Sequence, residues 1–283
     1  MVLSVCHEAS PVSIKDGKLV IFTDLDGTLL DYDDYSCERV APPVLRLKKA
    51  GVLIVFCSSK TRVEQEVYRR KLGIDTPFIV ENGGAIFIEQ GYFPFHYSYQ
   101  RIAGSYQVIE LGMPYREIRH KLDEVRRKNN LYFKGFGDMD TAQVASLTGL
   151  DIASARLAQQ REYDETLHLT GSEQEIRLIL GKIEEVGLKW VMGTRFYSVA
   201  CGGDKGKATK ILIGLFKRKL GKIKTIGIGD SFNDVPLLAE VDIPVLVQRP
   251  GGYWEKIELP SLYRVDGIGP EGWVKAVEEL VAI

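Results

Sequence analysis

Residues 19–28 read LVIFTDLDGT: a short apolar run, then two aspartates one residue apart, a glycine and a threonine. An apolar run of this length suits a strand covered on both faces. Asp24 and Asp26 therefore fall just past a strand end, and Gly27 permits the sharp turn there. The arrangement recurs twice. Residues 52–57 (VLIVFC) form a second such run and lead straight into Ser58. Residues 225–229 (TIGIG) form a third and lead into Asp230-Ser231-Phe232-Asn233-Asp234. A helical pattern over 42–50 stops at Gly51, and a charged amphipathic one over 61–72 stops at Gly73. With a further strand at 78–80, the alternation predicts a parallel sheet with helices on both faces.

From residue 85 the pattern changes. Residues 85–88 and 91–95 read as an antiparallel hairpin. Strands at 106–111, 131–133, 163–169, 188–192 and 195–200 then mix with helices at 114–129, 141–147, 151–160 and 172–186. This predicts an α+β domain with an antiparallel sheet. After Gly202-Gly203 the first style returns: a helix over 205–220, the strand 225–229, a short helix over 233–241, a strand over 243–247 and a last helix over 270–281. Pro270 suits the first turn of that helix. The expected organisation is an α/β core in two pieces, 1–98 and 201–283, with an α+β domain inserted over 99–200.

In a parallel sheet the three strand ends share one edge, where ligands bind in open α/β folds. Asp24, Asp26, Asp230 and Asp234 would then crowd one crevice, which is tolerable only with a cation between them. All-oxygen ligands favour Mg²⁺. Lys205, at a helix start, supplies another positive charge. Ser58 and the backbone N–H groups near Leu25 can bond phosphate oxygens. Asp24 fits as a covalent nucleophile that forms an aspartyl-phosphate. Asp26 can give a proton to the leaving alkoxide and later take one from water. Taken singly, each segment also reads as a turn or a helix cap; their joint occurrence in this order is what points to chemistry. Gly227-Ile228-Gly229 lacks the third glycine of a dinucleotide fingerprint, and Ala208 stands where a P-loop needs Ser or Thr.

The whole-chain balance agrees. The 283 residues carry 37 basic and 38 acidic side chains, so no basic excess points to nucleic acid or an anionic membrane. Cys6, Cys37, Cys57 and Cys201 make no C-x-x-C pair, and His7, His96, His120 and His168 show no zinc spacing. No stretch reaches the length of a membrane span, and the N-terminus lacks the basic region of a signal peptide. A reduced, cytoplasmic setting and a small-molecule substrate are expected.

The ordered set D-x-D-G-T, S, K and G-D-x-x-N-D, carried by residues 24–28, Ser58, Lys205 and 229–234, is similar to that of the haloacid dehalogenase (HAD) superfamily of phosphohydrolases. The resemblance implies a Rossmann-like core with a parallel sheet and an inserted α+β cap of the C2 type, in its C2b form. It implies Asp24 as nucleophile, Asp26 as acid and base, and Ser58 and Lys205 on the transferring phosphate. Mg²⁺ would be held by Asp24, the backbone carbonyl of Asp26 and Asp230. Asp234 and Asn233 would lie in or beside that shell, and Thr28 near the phosphate. Within the superfamily, residues 57–62 (CSSKTR), 76–84 (TPFIVENGG), 161–165 (REYDE), 195–197 (RFY) and 204–208 (DKGKA) most resemble the mannosyl-3-phosphoglycerate phosphatase family. Thr166 stands where that pattern has proline, so mannosyl against glucosyl stays open, as do a general sugar phosphatase and a phosphomannomutase.

The implied substrate is a phosphorylated glycoside with a carboxylate. Lys60, Arg62, Arg161 and Arg195 are the cations that could pair with it. Glu81-Asn82-Gly83-Gly84 read as contacts to sugar hydroxyls or, at Asn82-Gly83, as a tight hairpin turn.

Overall fold

The computed structural model describes residues 12–13, 18–193 and 195–282; Cys6 and His7 lie outside them. Its central sheet has five parallel strands in the order Tyr263–Ile268, Ile243–Gln248, Ile223–Gly229, Lys18–Thr23 and Leu53–Phe56. The reason for an unbroken apolar run is visible in the interior strand Lys18–Thr23. Leu19 and Ile21 pack with Val44, Leu47, Trp273 and Leu280 on one face. Val20 and Phe22 pack with Ala208, Leu212 and Phe216 on the other. Helices Ala41–Lys49 and Pro270–Leu280 thus cover one side and Lys205–Leu220 the other. Each such side chain, fully buried, contributes about 1.5–3 kcal/mol. Helix Arg62–Leu72 begins at a reciprocal Thr61–Glu64 cap and ends at left-handed Gly73.

The strand Phe78–Val80 departs from expectation. It keeps one parallel bridge to the central sheet, Cys57 to Ile79, and otherwise pairs antiparallel with Ala85–Glu89. The partner foreseen for that strand, 91–95, is not a strand. Tyr106–Glu110 takes its place and Arg101–Ala103 forms the edge. Phe93 and Tyr97 pack beside Phe216 instead.

A second antiparallel sheet runs in the order Lys189–Met192, Tyr197–Ala200, Asp164–His168 and Lys134–Gly135. Helices Tyr115–Asn129 and Glu173–Glu185 cover it through Ile118, Leu122, Ile179 and Ile183. Two short helices, Thr141–Thr148 and Ile152–Ala158, start at Asp140 and Asp151 caps. The strand expected at 131–133 falls at Lys134–Gly135, and Tyr263–Ile268 was not foreseen. Strand pairing divides the expected unit 99–200: residues 101–110 join the sheet of 78–89, and the separate sheet spans 134–200. The chain passes between the two through 111–113 and 200–204. There the N–H groups of Leu111 and Gly112 both donate to the Gly84 carbonyl (2.9 and 2.8 Å), and that of Met113 donates to the Cys201 carbonyl (2.7 Å). Among the described residues no helix is long and apolar enough to cross a membrane.

Candidate active site

Parallel pairing brings the three motif segments together at the strands' C-terminal edge. The Cys57 N–H donates to the Thr23 carbonyl and the Asp24 N–H to the Ile228 carbonyl, both at 2.9 Å, so the strand ends are in register where the motifs begin. Helix Lys205–Leu220 starts at the same edge, with Asp204 accepting from the Lys207 N–H (2.7 Å). The Lys205 ammonium lies between Asp24 Oδ1 and Asp234 Oδ1, 2.7 Å from each. All three side chains are buried. The other oxygen of Asp234 accepts from the N–H groups of Asp230 (3.1 Å) and Ser231 (3.2 Å) and from the Ser231 hydroxyl (3.3 Å). Asp234 thereby fixes the loop that carries Asp230.

One carboxylate oxygen from each of Asp24, Asp230 and Asp234 lies within 4.8 Å of the others. Burial pushes the Asp24 carboxyl up to about 7; Lys205 opposes the shift, and Asp234 and Asp26 add to it. Burial, then Asp234 and Asp24, raise Asp230 well above the usual carboxylate range. For Lys205, burial favours the neutral amine, but Asp234 and Asp24 outweigh it and hold the charge on. One lysine does not neutralise three carboxylates, and the all-oxygen donor set fits a hard dication such as Mg²⁺. Gly27 has a positive φ of 72°, and a β-carbon there would come 3.2 Å from Asp230 Oδ2.

Asp26 stands apart from this group. Its Oδ1 lies 2.9 Å from the Lys60 ammonium, which also faces Glu64 at 3.5 Å. Ser58 is fully buried, and its hydroxyl accepts from the Lys60 N–H (3.3 Å). Thr28 is buried too and donates to Asp230 Oδ1 at 3.5 Å.

A cavity of about 250 Å³ opens from these groups toward the inserted sheet. Asp24, Asp26, Lys60, Asn82, Asp230, Asn233 and Arg249 line it from the core, and Phe136, Leu150, Thr166, Met192, Arg195, Phe196 and Ser198 from the insert. Residues 81–84 are the tight turn joining Phe78–Val80 to Ala85–Glu89, and Gly83 does not reach the cavity. Its role is close approach: φ is 93°, and a β-carbon would lie 2.1 Å from Asp204 backbone atoms. Asn82 does reach the cavity, donating to the Ser198 hydroxyl at 3.2 Å.

The four expected cations separate. Arg62 does not line the cavity; it pairs with Glu162 (2.8 Å) and Glu66 (2.9 Å). Arg161 borders the cavity but is buried, pairing with Asp164 and donating to the Ser59 carbonyl (2.7 Å). Lys60 is committed to Asp26 and Glu64. Arg195 donates to the carbonyls of Thr148 (2.8 Å) and Leu147 (3.4 Å), and no ion pair among the described residues includes it. Sequence reasoning missed Arg249, whose Nε lies 3.5 Å from Asp230 Oδ2 and which also pairs with Glu255. Its place just past a parallel strand end was the signal available. Tyr35, beneath the Lys60 ammonium at 4.6 Å, carried none.

Residues 21–102 match the haloacid dehalogenase-like hydrolase family. The chain is 43% identical over 265 residues to a glucosyl-3-phosphoglycerate/mannosyl-3-phosphoglycerate phosphatase of Methanococcoides burtonii, covering 93% of this chain and 97% of that one. It is 41% identical over 229 residues to a mannosyl-3-phosphoglycerate phosphatase of Pyrococcus horikoshii, covering 81% and 90%. Among solved structures, the sucrose-phosphatase of Synechocystis shares the fold with a TM-score of 0.58 at 14% identity, covering 93% of this chain and 97% of that one.

Proposed function

The chain belongs to the haloacid dehalogenase-like hydrolase family, and from that premise we propose that it is a Mg²⁺-dependent phosphatase that hydrolyses mannosyl-3-phosphoglycerate to mannosylglycerate and phosphate. The observation that carries the reaction class is the Lys205 ammonium held between two buried aspartates, 2.7 Å from each, at the edge where three parallel strands end. The relatives' names carry the substrate class.

Asp24, Asp230 and the backbone carbonyl of Asp26 would hold the Mg²⁺, with Asp234 and Asn233 orienting that shell. The bound ion supplies positive charge against the transferring phosphoryl oxygens. Asp24 attacks phosphorus and the ester bond to the glycerate oxygen breaks, leaving an aspartyl-phosphate. Asp26 gives its proton to the departing alkoxide. It then takes one from the water that attacks phosphorus in the second step, and Asp24 is released with inorganic phosphate. Lys205 neutralises Asp24 and, with Ser58 and Thr28, favours the phosphate. The inserted sheet acts as a cap, and the cavity between it and the core receives the glycosyl glycerate.

Arg195 is the cation proposed for the glycerate carboxylate, because its present partners, two backbone carbonyls and the Tyr35 side chain, are neutral while those of Lys60 and Arg161 include carboxylates. The glucosyl ester is a second substrate on one specific ground: the Methanococcoides burtonii relative's name includes both. The test is phosphate release with Mg²⁺ from mannosyl-3-phosphoglycerate, its glucosyl counterpart and mannose 6-phosphate. Equal or faster release from mannose 6-phosphate would refute the narrow substrate, and isomerised sugar phosphate in place of inorganic phosphate would refute hydrolysis.

A further inference from the structure

Glu81 is fully buried, is not part of the reaction described above, and binds across the boundary between core and insert. Its carboxylate accepts three consecutive backbone N–H groups from the insert: Glu162 (3.0 Å), Tyr163 (2.7 Å) and Asp164 (2.9 Å). Three donors converging on one side chain form an anion-binding nest, here filled by a protein carboxylate. The turn that presents Glu81 is strained. Glu81 and Asn82 both have positive φ, 47° and 55°, a conformation non-glycine residues keep only when their surroundings enforce it. The same turn reaches the phosphate end of the site, since the Asn82 N–H donates to the Ser58 carbonyl at 3.0 Å. It reaches the cap as well, through Asn82 to Ser198. Around it lie further ties between the two bodies: Arg161 to the Ser59 carbonyl and the Thr61 hydroxyl to the Leu157 carbonyl (3.0 Å). Close backbone packing keeps the turn in place, because a β-carbon on Gly84 would sit 2.4 Å from Tyr163 Cβ.

We propose that Glu81 is a positioning residue that latches the cap in its closed place over the phosphate-binding loop, so that substrates gripped by the cap meet a preformed cavity. The inference rests on the phosphatase reading and deepens it. Without the latch the closed arrangement is only partly populated, and the apparent affinity for a substrate that needs it falls by that fraction. A small phosphate ester that makes no use of the cap does not feel the change.

The experiment compares Glu81→Ala and Glu81→Gln with wild type on mannosyl-3-phosphoglycerate and on p-nitrophenyl phosphate. Burial and the neighbouring Asp164 push the Glu81 carboxyl up to about 8, against Arg161 and the N–H groups; three ordinary hydrogen bonds to it still correspond together to roughly ten- to hundredfold in an equilibrium. For Glu81→Ala the KM for the glycosyl substrate rises at least about tenfold, while kcat/KM on p-nitrophenyl phosphate stays within about twofold of wild type. Glu81→Gln keeps one oxygen for the Tyr163 and Asp164 N–H groups and recovers most of the loss. Amide hydrogen exchange at Glu162 and Tyr163 speeds up in the alanine variant and returns toward wild type with glutamine. Should the alanine variant not fold, the glutamine variant decides, with a KM rise of about threefold confined to the glycosyl substrate. Equal loss on both substrates would mean that Glu81 acts on the phosphate loop, and unchanged KM and exchange would mean that no latch exists; either result overturns the proposal. A wild type inactive on both esters would instead refute the phosphatase reading itself.

Discussion

Replacing Arg195 by glutamine removes the one cavity-lining cation, among the four the sequence singled out, that faces no carboxylate. Glutamine still offers an N–H group to the Thr148 and Leu147 carbonyls, so the end of helix Thr141–Thr148 keeps a partner and the fold is largely spared. What is lost is the charge available to a glycerate carboxylate. A hydrogen bond to a charged group contributes about 1.5–3 kcal/mol, roughly ten- to hundredfold in rate if it is realised in the transition state. The assay is phosphate release at saturating Mg²⁺, and the quantity read is the ratio of kcat/KM for mannosyl-3-phosphoglycerate to that for mannose 6-phosphate. Arg195→Gln collapses the ratio by roughly ten- to hundredfold through its numerator alone. Arg62→Ala serves as control and leaves the ratio within about twofold, because Arg62 is held outside the cavity by Glu162 and Glu66. An unchanged ratio in Arg195→Gln, or an equal loss on both substrates, would refute the carboxylate assignment.

Asp24→Asn keeps the side-chain shape and removes the attacking oxygen, so phosphate release falls to background while circular dichroism stays that of the wild type; residual turnover near wild type would remove the covalent step. Chelation abolishes activity and Mg²⁺ restores it, whereas full activity after exhaustive metal removal would refute the metal site. In the metal-free protein the folded state holds the Asp24 proton more tightly than the unfolded chain, about 7 against 3.8. That contribution to stability is complete below pH 3.8 and is lost as pH rises through about 7. It amounts to roughly 4 kcal/mol at most. Thermal melts in chelator therefore show wild type losing stability relative to Asp24→Asn across this window, an effect Mg²⁺ erases; a gap that moves the other way would contradict the burial argument. Gly83→Ala places a β-carbon against Asp204 in a left-handed turn and lowers the melting midpoint, with a cost of roughly 2 kcal/mol or more; a neutral effect would show that the turn and the helix start are not tightly packed.

The elements legible in the sequence were those whose side chains are buried on both faces or bounded by a cap. The run 19–23 could only be an interior strand, because Leu19 and Val20 each need their own covered side. Tyr263–Ile268 escaped because it is a half-exposed edge strand whose Arg264 and Asp266 face solvent and break the apolar signal. Residues 91–95 misled for the opposite reason: their aromatics look like a strand face but pack as a cluster around Phe216. The carboxylates and Lys205 were legible because a parallel sheet collects strand ends at one edge, whatever the sequence distance. The cations were not. Which of Lys60, Arg62, Arg161 and Arg195 keeps a charge to spare depends on the acid that arrives beside each one. For Arg62 that acid is Glu162, about a hundred residues away and on the other body. The segment around Glu81 drew notice as a sugar contact, but its bonds to the insert were opaque for the same reason, since those partners are backbone N–H groups, which every residue but proline carries. Side chains that ride on strand ends can thus be brought together from order alone, whereas the contacts between core and insert depend on how two separately built sheets meet. Substitutions at the meeting surface should accordingly move substrate preference, and substitutions at the strand ends should move turnover on every ester alike.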